Sequence, residues 1–505
     1  MDIKQLIKNI FSNWGIYALS MIVSIFLTPF IIGSLGKGYY GIWVLINSLV
    51  GYMNILDFGV RPAVNRYVAK YIGLDDNDGI RRVISSSSII LLGVACIVVV
   101  ITFIFAHFLP LIFNIHELDF HAIKLSLIVV GLGFAISLPL QISGAVLGAY
   151  ERYDIQNLNK FLMLIARTLL IVYFLKNNKG ILCLSLIVSI TGIVQYLLDY
   201  ISVSTIFHKV TISLGYFDPD LLKKILSFGF FSFIIQVSLQ ITYYIDVTVV
   251  GVFLSTSAVA VYSISASLVE YSRQLVGNMT RVFTPSLTKL FYKKRVDKIS
   301  EYYVVATHYT SAISFPLVAG LAILGDEFIL LWVGDGFSSS YSIMLILLIP
   351  QIVGLSQQMS AQVMFGFGRN DVLAYLEMVS AFFNLCLSIV LVKLLGMIGV
   401  ALATAVPLLI THTFLLPYIV CRRLDLSISK YIKDGYFKSI LNTSIMALYI
   451  LCVKSIWPSD SWIVFLSTVT TAVLLYGSTG WFILLDVRTR EKILRYVNGL
   501  SQYNV

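Results

Sequence analysis

Ionisable side chains inside long apolar runs are where this 505-residue sequence can do chemistry. Glu270, Arg273, Gly277 and Arg281 recur at three- and four-residue steps, which places them along one face of a helix. Charge within such a run is costly and usually faces a bundle interior or a water-filled space. Guanidinium groups there are suited to anionic oxygens. Arg167 lies about two turns inside Lys160, deeper than an interfacial anchor needs to be. Asp57, Arg61 and Arg66 gather at the end of another apolar run. These seven, Arg273, Arg281, Glu270, Arg167, Arg61, Arg66 and Asp57, are the candidates for a substrate cavity. Competing structural readings stand beside them: a Glu270–Arg273 salt bridge, Arg281 snorkelling to an interface, and Asp57 pairing Arg61 one turn on.

A second set could carry coupling. Asp246, Asp199 and Glu377 are lone carboxylates in apolar runs, able to carry a proton or ligate sodium, or simply to be hydrogen-bonded within a bundle. His308 and His412 titrate near neutrality, although lone histidines in a bundle are more often structural. The five cysteines show no metal-ligand or redox spacing, and there is no phosphate-binding glycine loop, zinc-protease motif or nucleophile elbow. Neither a metal nor an enzymatic reaction is expected.

The elements that position these groups follow from composition. Hydrophobic residues make up 58%, charged residues 12%, and mean hydropathy is +0.88. A soluble domain carries about 25% charge, so the chain reads as an all-α polytopic membrane protein. About fourteen apolar stretches are long enough to cross the hydrocarbon core: 10–33, 39–59, 84–106, 122–148, 161–175, 181–207, 225–250, 258–283, 304–324, 341–366, 372–393, 397–420, 438–457 and 462–485. With the N-terminus inside, 27 of the 36 Lys and Arg fall in inside segments and six outside, the positive-inside bias. Both termini are therefore expected in the cytoplasm. The net charge of +10 is explained by basic inside loops attracted to anionic headgroups, without nucleic acid. The first span is too long for a cleaved signal peptide, so the chain is expected to begin at Met1.

The sequence also repeats. Gln141-Ile-Ser-Gly-Ala-Val-Leu-Gly-Ala-Tyr-Glu-Arg-Tyr-Asp154 returns 217 residues later, without a gap, as Gln358-Met-Ser-Ala-Gln-Val-Met-Phe-Gly-Phe-Gly-Arg-Asn-Asp371. Tyr40-Gly-Ile-Trp43, leading to Pro62, corresponds to Tyr262-Ser-Ile-Ser265, leading to Pro285, at an offset of 222 or 223. This predicts two six-helix lobes, residues 1–210 and 211–424, followed by an appendage of two helices and a cytoplasmic tail at 425–505. Two copies with an even number of spans are related by an axis along the membrane normal, with a cavity between them.

Gly33-Ser-Leu-Gly-Lys-Gly-Tyr-Tyr-Gly-Ile-Trp43, Leu56-Asp-Phe-Gly-Val60 and Ala63-Val-Asn-Arg-Tyr-Val-Ala69 resemble the opening of polysaccharide-export flippases of the O-antigen and capsule (Wzx) type. Asp246 and Tyr262-Ser-Ile264 are similar to the second half of that family. The family belongs to the multidrug/oligosaccharidyl-lipid/polysaccharide (MOP) exporter superfamily, with the lipid II flippases and the multidrug and toxin extrusion (MATE) antiporters. The resemblance implies a MATE-like fold in the bacterial inner membrane. It also implies flipping of a polyprenyl-pyrophosphate-linked oligosaccharide by alternating access, with no cofactor beyond H+ or Na+ coupling. Membrane lipids, a polysaccharide polymerase and chain-length proteins are the further partners implied. Such a substrate cannot cross unaided, because its charged and hydroxylated groups would have to enter hydrocarbon. The intramembrane arginines then become candidates for the pyrophosphate, and the last two spans for a tail groove. Two alternatives remain at this level: a MATE-like cation-coupled exporter of small organic cations, and a non-transporting scaffold of a glycan-assembly complex.

Overall fold

The computed structural model describes residues 3–113, 118–206, 214–281, 283, 287, 290–291, 295–458, 460–487, 489–491 and 494, with side chains from 12 onward except at 214, 224, 226–232, 243, 281 and 296. The described residues contain helices and turns and no strand. In chain order the helices are α1 (Ile3–Met53), α2 (Val60–Ile72), α3 (Asn77–Ile112), α4 (Phe120–Leu140), α5 (Ile142–Ala149), α6 (Tyr153–Lys176), α7 (Ile181–Ile206), α8 (Pro219–Phe253) and α9 (Thr256–Arg281). They continue as α10 (Val296–Val333), α11 (Ser339–Leu348), α12 (Gln351–Gly354), α13 (Gln358–Gly366), α14 (Asn370–Leu408), α15 (Leu416–Arg423), α16 (Ile428–Ile456) and α17 (Trp462–Ile483).

Ten described segments are long and apolar enough to span a membrane. Two of them are too long for a single crossing. Ser12–Asp57 and Asn370–Arg423 have 46 and 54 residues, about 70 and 80 Å of straight helix against a hydrocarbon core of about 30 Å. Each folds back at a glycine of positive φ, Gly36 (φ 82°) and Gly396 (φ 59°), where a side chain would be strained. At the second bend the arms pack so closely that a methyl on Gly399 would lie 2.1 Å from the Leu391 carbonyl oxygen. Counting both arms of each, and adding α9 and the broken series α11–α13, accounts for all fourteen expected crossings. Leu111, Phe26 and Ile463 are among many large apolar side chains left exposed, as expected where the solvent is lipid.

The helix starts obey local rules. Asp76, Asp119 and Asp218 cap α3, α4 and α8 by accepting from backbone N–H groups of the first turn, at 2.8 Å (Gly79), 2.9 Å (His121) and 3.0 Å (Asp220), and Pro219 follows the last cap.

Two compact units emerge: residues 1–263 with 385–400, and residues 264–384 with 401–505. The first has a core of Val60, Val64, Val83, Leu91 and Leu147 on α2, α3 and α5. In the second, α16 is fastened to α10 by polar side chains. Ser311 Oγ donates to the Gly435 carbonyl at 2.7 Å and meets Ser439 Oγ at 2.8 Å, while Lys454 Nζ contacts both carboxylate oxygens of Asp326 at 2.6 and 2.8 Å. Tyr476 on α17 adds a bond to the Ala312 carbonyl at 2.6 Å. Beyond α17, the Lys438 ammonium donates to Asp486 at 2.6 Å and holds its carboxyl below the ordinary range.

The repeated passages fold alike. Glu151 (φ 57°) and Gly368 (φ 66°) are both left-handed and lie 217 residues apart. Around them the backbone bonds correspond one to one: Tyr150, Glu151 and Arg152 donate to Val146, Gly148 and Leu147, and Phe367, Gly368 and Arg369 to Val363, Phe365 and Met364. Each turn ends in an ion pair, Arg152–Asp154 at 3.1 Å and Arg369–Asp371 at 2.8 Å.

Candidate functional site

The first unit contains a polar cavity of about 640 Å³, within the range of about 300–1,000 Å³ usual for ligand sites. Its first wall is the break between α1 and α2. A 3-10 turn, Asn54–Asp57, is followed by Phe58 (φ 48°) and Gly59 (φ 71°), both left-handed. A phenylalanine in that region costs about 1–3 kcal/mol, a strain often found at functional sites. Phe58 stacks on Phe233 of α8 at 5.2 Å, and Phe233 lines the cavity.

That reversal places Asp57, Arg61 and Asn65 on the cavity wall. Arg61 Nε donates to Asp57 Oδ2 at 2.7 Å. Asp57 is buried and its Oδ1 finds no partner among the described residues. Arg61 is about two-fifths exposed (39%), so its guanidinium is reachable from the cavity.

The opposite wall comes from α5, α6 and α7. Gln141 and Gly144 line it from the start of α5, and Tyr196 from α7. On α6, Asn157 donates to Ser12 Oγ and Asn13 Oδ1 of α1, each at 2.8 Å, and Asn159 donates to Asp199 Oδ1 of α7 at 2.8 Å. These bonds fix the first turns of α6 on two sides, and Gln156 and Lys160 line the cavity. Gly144 gives Gln156 its room, because a methyl there would lie 2.6 Å from Gln156 Nε2.

Among the lining residues, two cations stand against one carboxylate, in the company of Asn54, Asn65, Gln141, Gln156 and Gln236. Asp57 pairs with Arg61, and Lys160 is the second cation on the wall. Such a site favours an anion bearing hydrogen-bonding groups. Asp199 lies behind it, fully buried, with Oδ2 unpartnered among the described residues and within the electrostatic reach of Lys160.

The other sequence candidates are placed as follows. Arg167 donates through Nε to Thr191 Oγ1 at 2.9 Å and is not among the cavity-lining residues. Arg66 lies on the exposed face of α2. Asp246 is buried and accepts a bond from Tyr262 at 2.6 Å. In the second unit, Arg273 grips Glu270 in a bidentate pair, 2.7 Å at both contacts, and Gln274 donates to the same carboxylate at 2.7 Å. Arg281 ends α9, and its side chain lies outside the described residues. Glu377 faces His412 at 3.1 Å, and His308 Nε2 contacts the Leu484 carbonyl at 3.0 Å.

Lys160 is the residue that reading the sequence missed, since it stands just before an apolar run and passes for an interfacial anchor. The available signal was the polar series Gln156, Asn157, Asn159 and Lys160, which continues the helix two turns ahead of that run.

The second unit holds an apolar cavity of about 750 Å³, lined by Phe315, Val318, Phe414, Ile432, Ile440 and others. At one edge Gln357, Tyr431 and Tyr436 form a buried hydrogen-bonded cluster.

Known proteins share this architecture. The family described as polysaccharide biosynthesis protein matches residues 35–342. The chain is 19% identical to the membrane protein EpsK of Bacillus subtilis (strain 168) over 494 residues, covering 96% of this chain and 97% of that one. It is 21% identical to a Shigella flexneri protein named as an O-antigen transporter, over 80% of this chain and 94% of that one. Among solved structures, a MATE family multidrug resistance transporter of the MOP superfamily in an inward-facing conformation aligns with TM-score 0.68 and 16% identity, over 81% of this chain and 94% of that chain. Lipid II flippase MurJ in an inward closed conformation aligns with TM-score 0.66 and 16% identity, over 92% and 98%. The fold is thus that of these polytopic all-α membrane proteins.

Proposed function

The chain belongs to the polysaccharide biosynthesis protein family, and from that premise we propose that it flips a polyprenyl-pyrophosphate-linked oligosaccharide across the bacterial cytoplasmic membrane by alternating access. The product would serve O-antigen, capsule or a related surface polysaccharide. The observation that carries this reading is the polar cavity with Arg61 and Lys160 on its walls. A pyrophosphate entering it exchanges hydration for charge-assisted hydrogen bonds, each worth about 1.5–3 kcal/mol, and the amide side chains around them suit sugar hydroxyls.

The tail needs a different environment. The apolar cavity of the second unit, with Ile432 and Ile440 of α16 on its wall, is a fitting site for a polyprenyl segment, where each buried CH2 contributes about 0.8 kcal/mol. Both termini are assigned to the cytoplasm on the positive-inside asymmetry, and a polymerase and chain-length proteins are the expected downstream partners. An exporter of organic cations is disfavoured, because Lys160 would repel its cargo.

Proteoliposomes containing a fluorescent undecaprenyl-pyrophosphate oligosaccharide test the reading. The wild type should expose the glycan on the opposite face, and Lys160→Ala and Lys160→Glu, folded as judged by melting in detergent, should do so more slowly, Lys160→Glu the slowest. Flipping by both variants at the wild-type rate would refute the cavity as the headgroup site. Failure of the wild type together with transport of an organic cation would overturn the substrate class.

A further inference from the structure

We propose that Asp199 is a positioning residue of the first unit, an internal counter-ion that holds the Lys160 ammonium when no substrate is bound and yields it to the substrate's pyrophosphate. This deepens the flippase reading and rests on it. Asp199 on α7 is fully buried, and its two oxygens are used differently. Oδ1 accepts from Asn159 Nδ2 at 2.8 Å, which ties α7 to α6. Oδ2 has no hydrogen-bond partner among the described residues. A buried carboxylate oxygen in that state is costly, so it calls for a donor.

The place of Oδ2 indicates where that donor comes from. A methyl on Gly144, which lines the cavity, would lie 3.7 Å from Asp199 Oδ2 and 2.6 Å from Gln156 Nε2. The oxygen therefore lies just behind the cavity wall, at a point where the wall has no side chain. Three cations bear on this region: Arg61 and Arg167, which with Asp199 act on Tyr196 of the same wall, and Lys160. Arg61 is held by Asp57 at 2.7 Å, and Arg167 by Thr191 at 2.9 Å. Lys160 remains. It lines the cavity, follows Asn159 in the chain, and interacts with Asp199 electrostatically. An ammonium on a flexible four-carbon stem can turn either to the carboxylate or to a ligand.

A cation inside a membrane bundle is costly without a partner, and Lys160 needs one whether or not substrate is bound. Asp199 supplies it in the absence of substrate. An arriving pyrophosphate competes for the same ammonium, and on release Asp199 takes it back. The carboxylate therefore lowers the affinity for the headgroup and speeds its departure. A residue that merely braced Lys160 in the cavity would do the reverse.

Asp199→Asn is the test, because its amide oxygen still accepts from Asn159 while the competing charge is gone. In ligand-free full-length protein in lipid, acylation of Lys160 by a water-soluble amine reagent is followed by peptide mass spectrometry, with exposed Lys176 at the far end of α6 as reference. Lys160 should react several-fold faster in the variant; an unchanged ratio to Lys176 would overturn the proposal. A water-soluble pyrophosphate-linked oligosaccharide should bind Asp199→Asn about tenfold more tightly than the wild type, equivalent to about 1.4 kcal/mol. In proteoliposomes the KM and the maximal flipping rate should fall together. Placed on Lys160→Gln, the same substitution should change binding by about twofold or less, since it acts through the lysine. Weaker binding, or equal tightening in both backgrounds, would contradict the counter-ion role. Asn159→Ala frees the second carboxylate oxygen for the lysine, so it should slow acylation and weaken binding; movement in the opposite sense would also overturn the role. A wild type that binds no such ligand would sink the functional reading instead, and the acylation arm would still decide whether Asp199 holds Lys160.

Discussion

Lys160 and Glu377 stand 217 residues apart, at equivalent positions of the internal repeat, and do opposite things. Lys160 brings a positive charge to the polar cavity of the first unit. Glu377 brings a negative one to a histidine on a π-helix in the second. The same spacing relates Arg167, bonded to Thr191, and Asn384, bonded to Thr404. Both copies thus keep polar positions at equivalent depths on their helices, and the chemistry has diverged through the identity of the side chain. The cavities diverge as well, since the one in the first unit is polar and the one in the second is apolar. A repeated scaffold with opposite linings suits a substrate that is ionic at one end and greasy at the other.

The comparison is broken most directly by reversing the charge that defines one side. Lys160→Glu should lower flipping by about 100-fold or more, because it removes a charge-assisted contact and adds repulsion toward phosphate. Initial rates in proteoliposomes read this, and a rate within twofold of the wild type would leave the polar cavity without its assigned role. Glu377→Lys places a cation beside His412 and near Arg273, and in this half-buried setting it should cost about 1–2 kcal/mol of stability. A lowered melting temperature in detergent would show it, and an unchanged one would mean that the pair is not held together in lipid. Gly144→Leu sharpens the picture further, because its side chain must displace Gln156 and enter the cavity. It should weaken transport by about tenfold, as loss of about 1.4 kcal/mol of binding would, while leaving folding intact.

The smallest effect is expected where the copies still agree. Arg152→Ala and Arg369→Ala remove similar turn ion pairs with guanidinium groups exposed to solvent, and such pairs contribute little. Neither should measurably change melting or flipping. A large loss from one and not the other would show that the turns have diverged as well.

What the sequence revealed was what local chemistry dictates. The turns at Glu151 and Gly368 could be matched because hydrogen bonds within a few residues build them, so the same Arg-x-Asp pattern gives the same backbone twice. The crossings were legible because the hydrocarbon core imposes length and composition, and the bends at Gly36 and Gly396 add only the reversal. The site was less legible. Lys160 reads as an anchor until α6 is seen to begin at Tyr153 and to be fixed by Asn157 and Asn159 against α1 and α7. The Glu377–His412 pair joins positions 35 residues apart through a π-helix whose register no α-helical periodicity anticipates. The stripe on α9 was legible as a stripe, yet its first two charges, Glu270 and Arg273, satisfy each other.

Equilibrium binding of a water-soluble pyrophosphate-linked oligosaccharide to the detergent-solubilised protein tests the central claim most directly, with the wild type, Lys160→Ala and Glu377→Gln measured side by side. The account predicts that Lys160→Ala weakens binding by about tenfold or more, the value of one charge-assisted hydrogen bond, and that Glu377→Gln binds as the wild type does. Unchanged binding by Lys160→Ala, or an equal loss in Glu377→Gln, would contradict the assignment of the anionic headgroup to the cavity of the first unit.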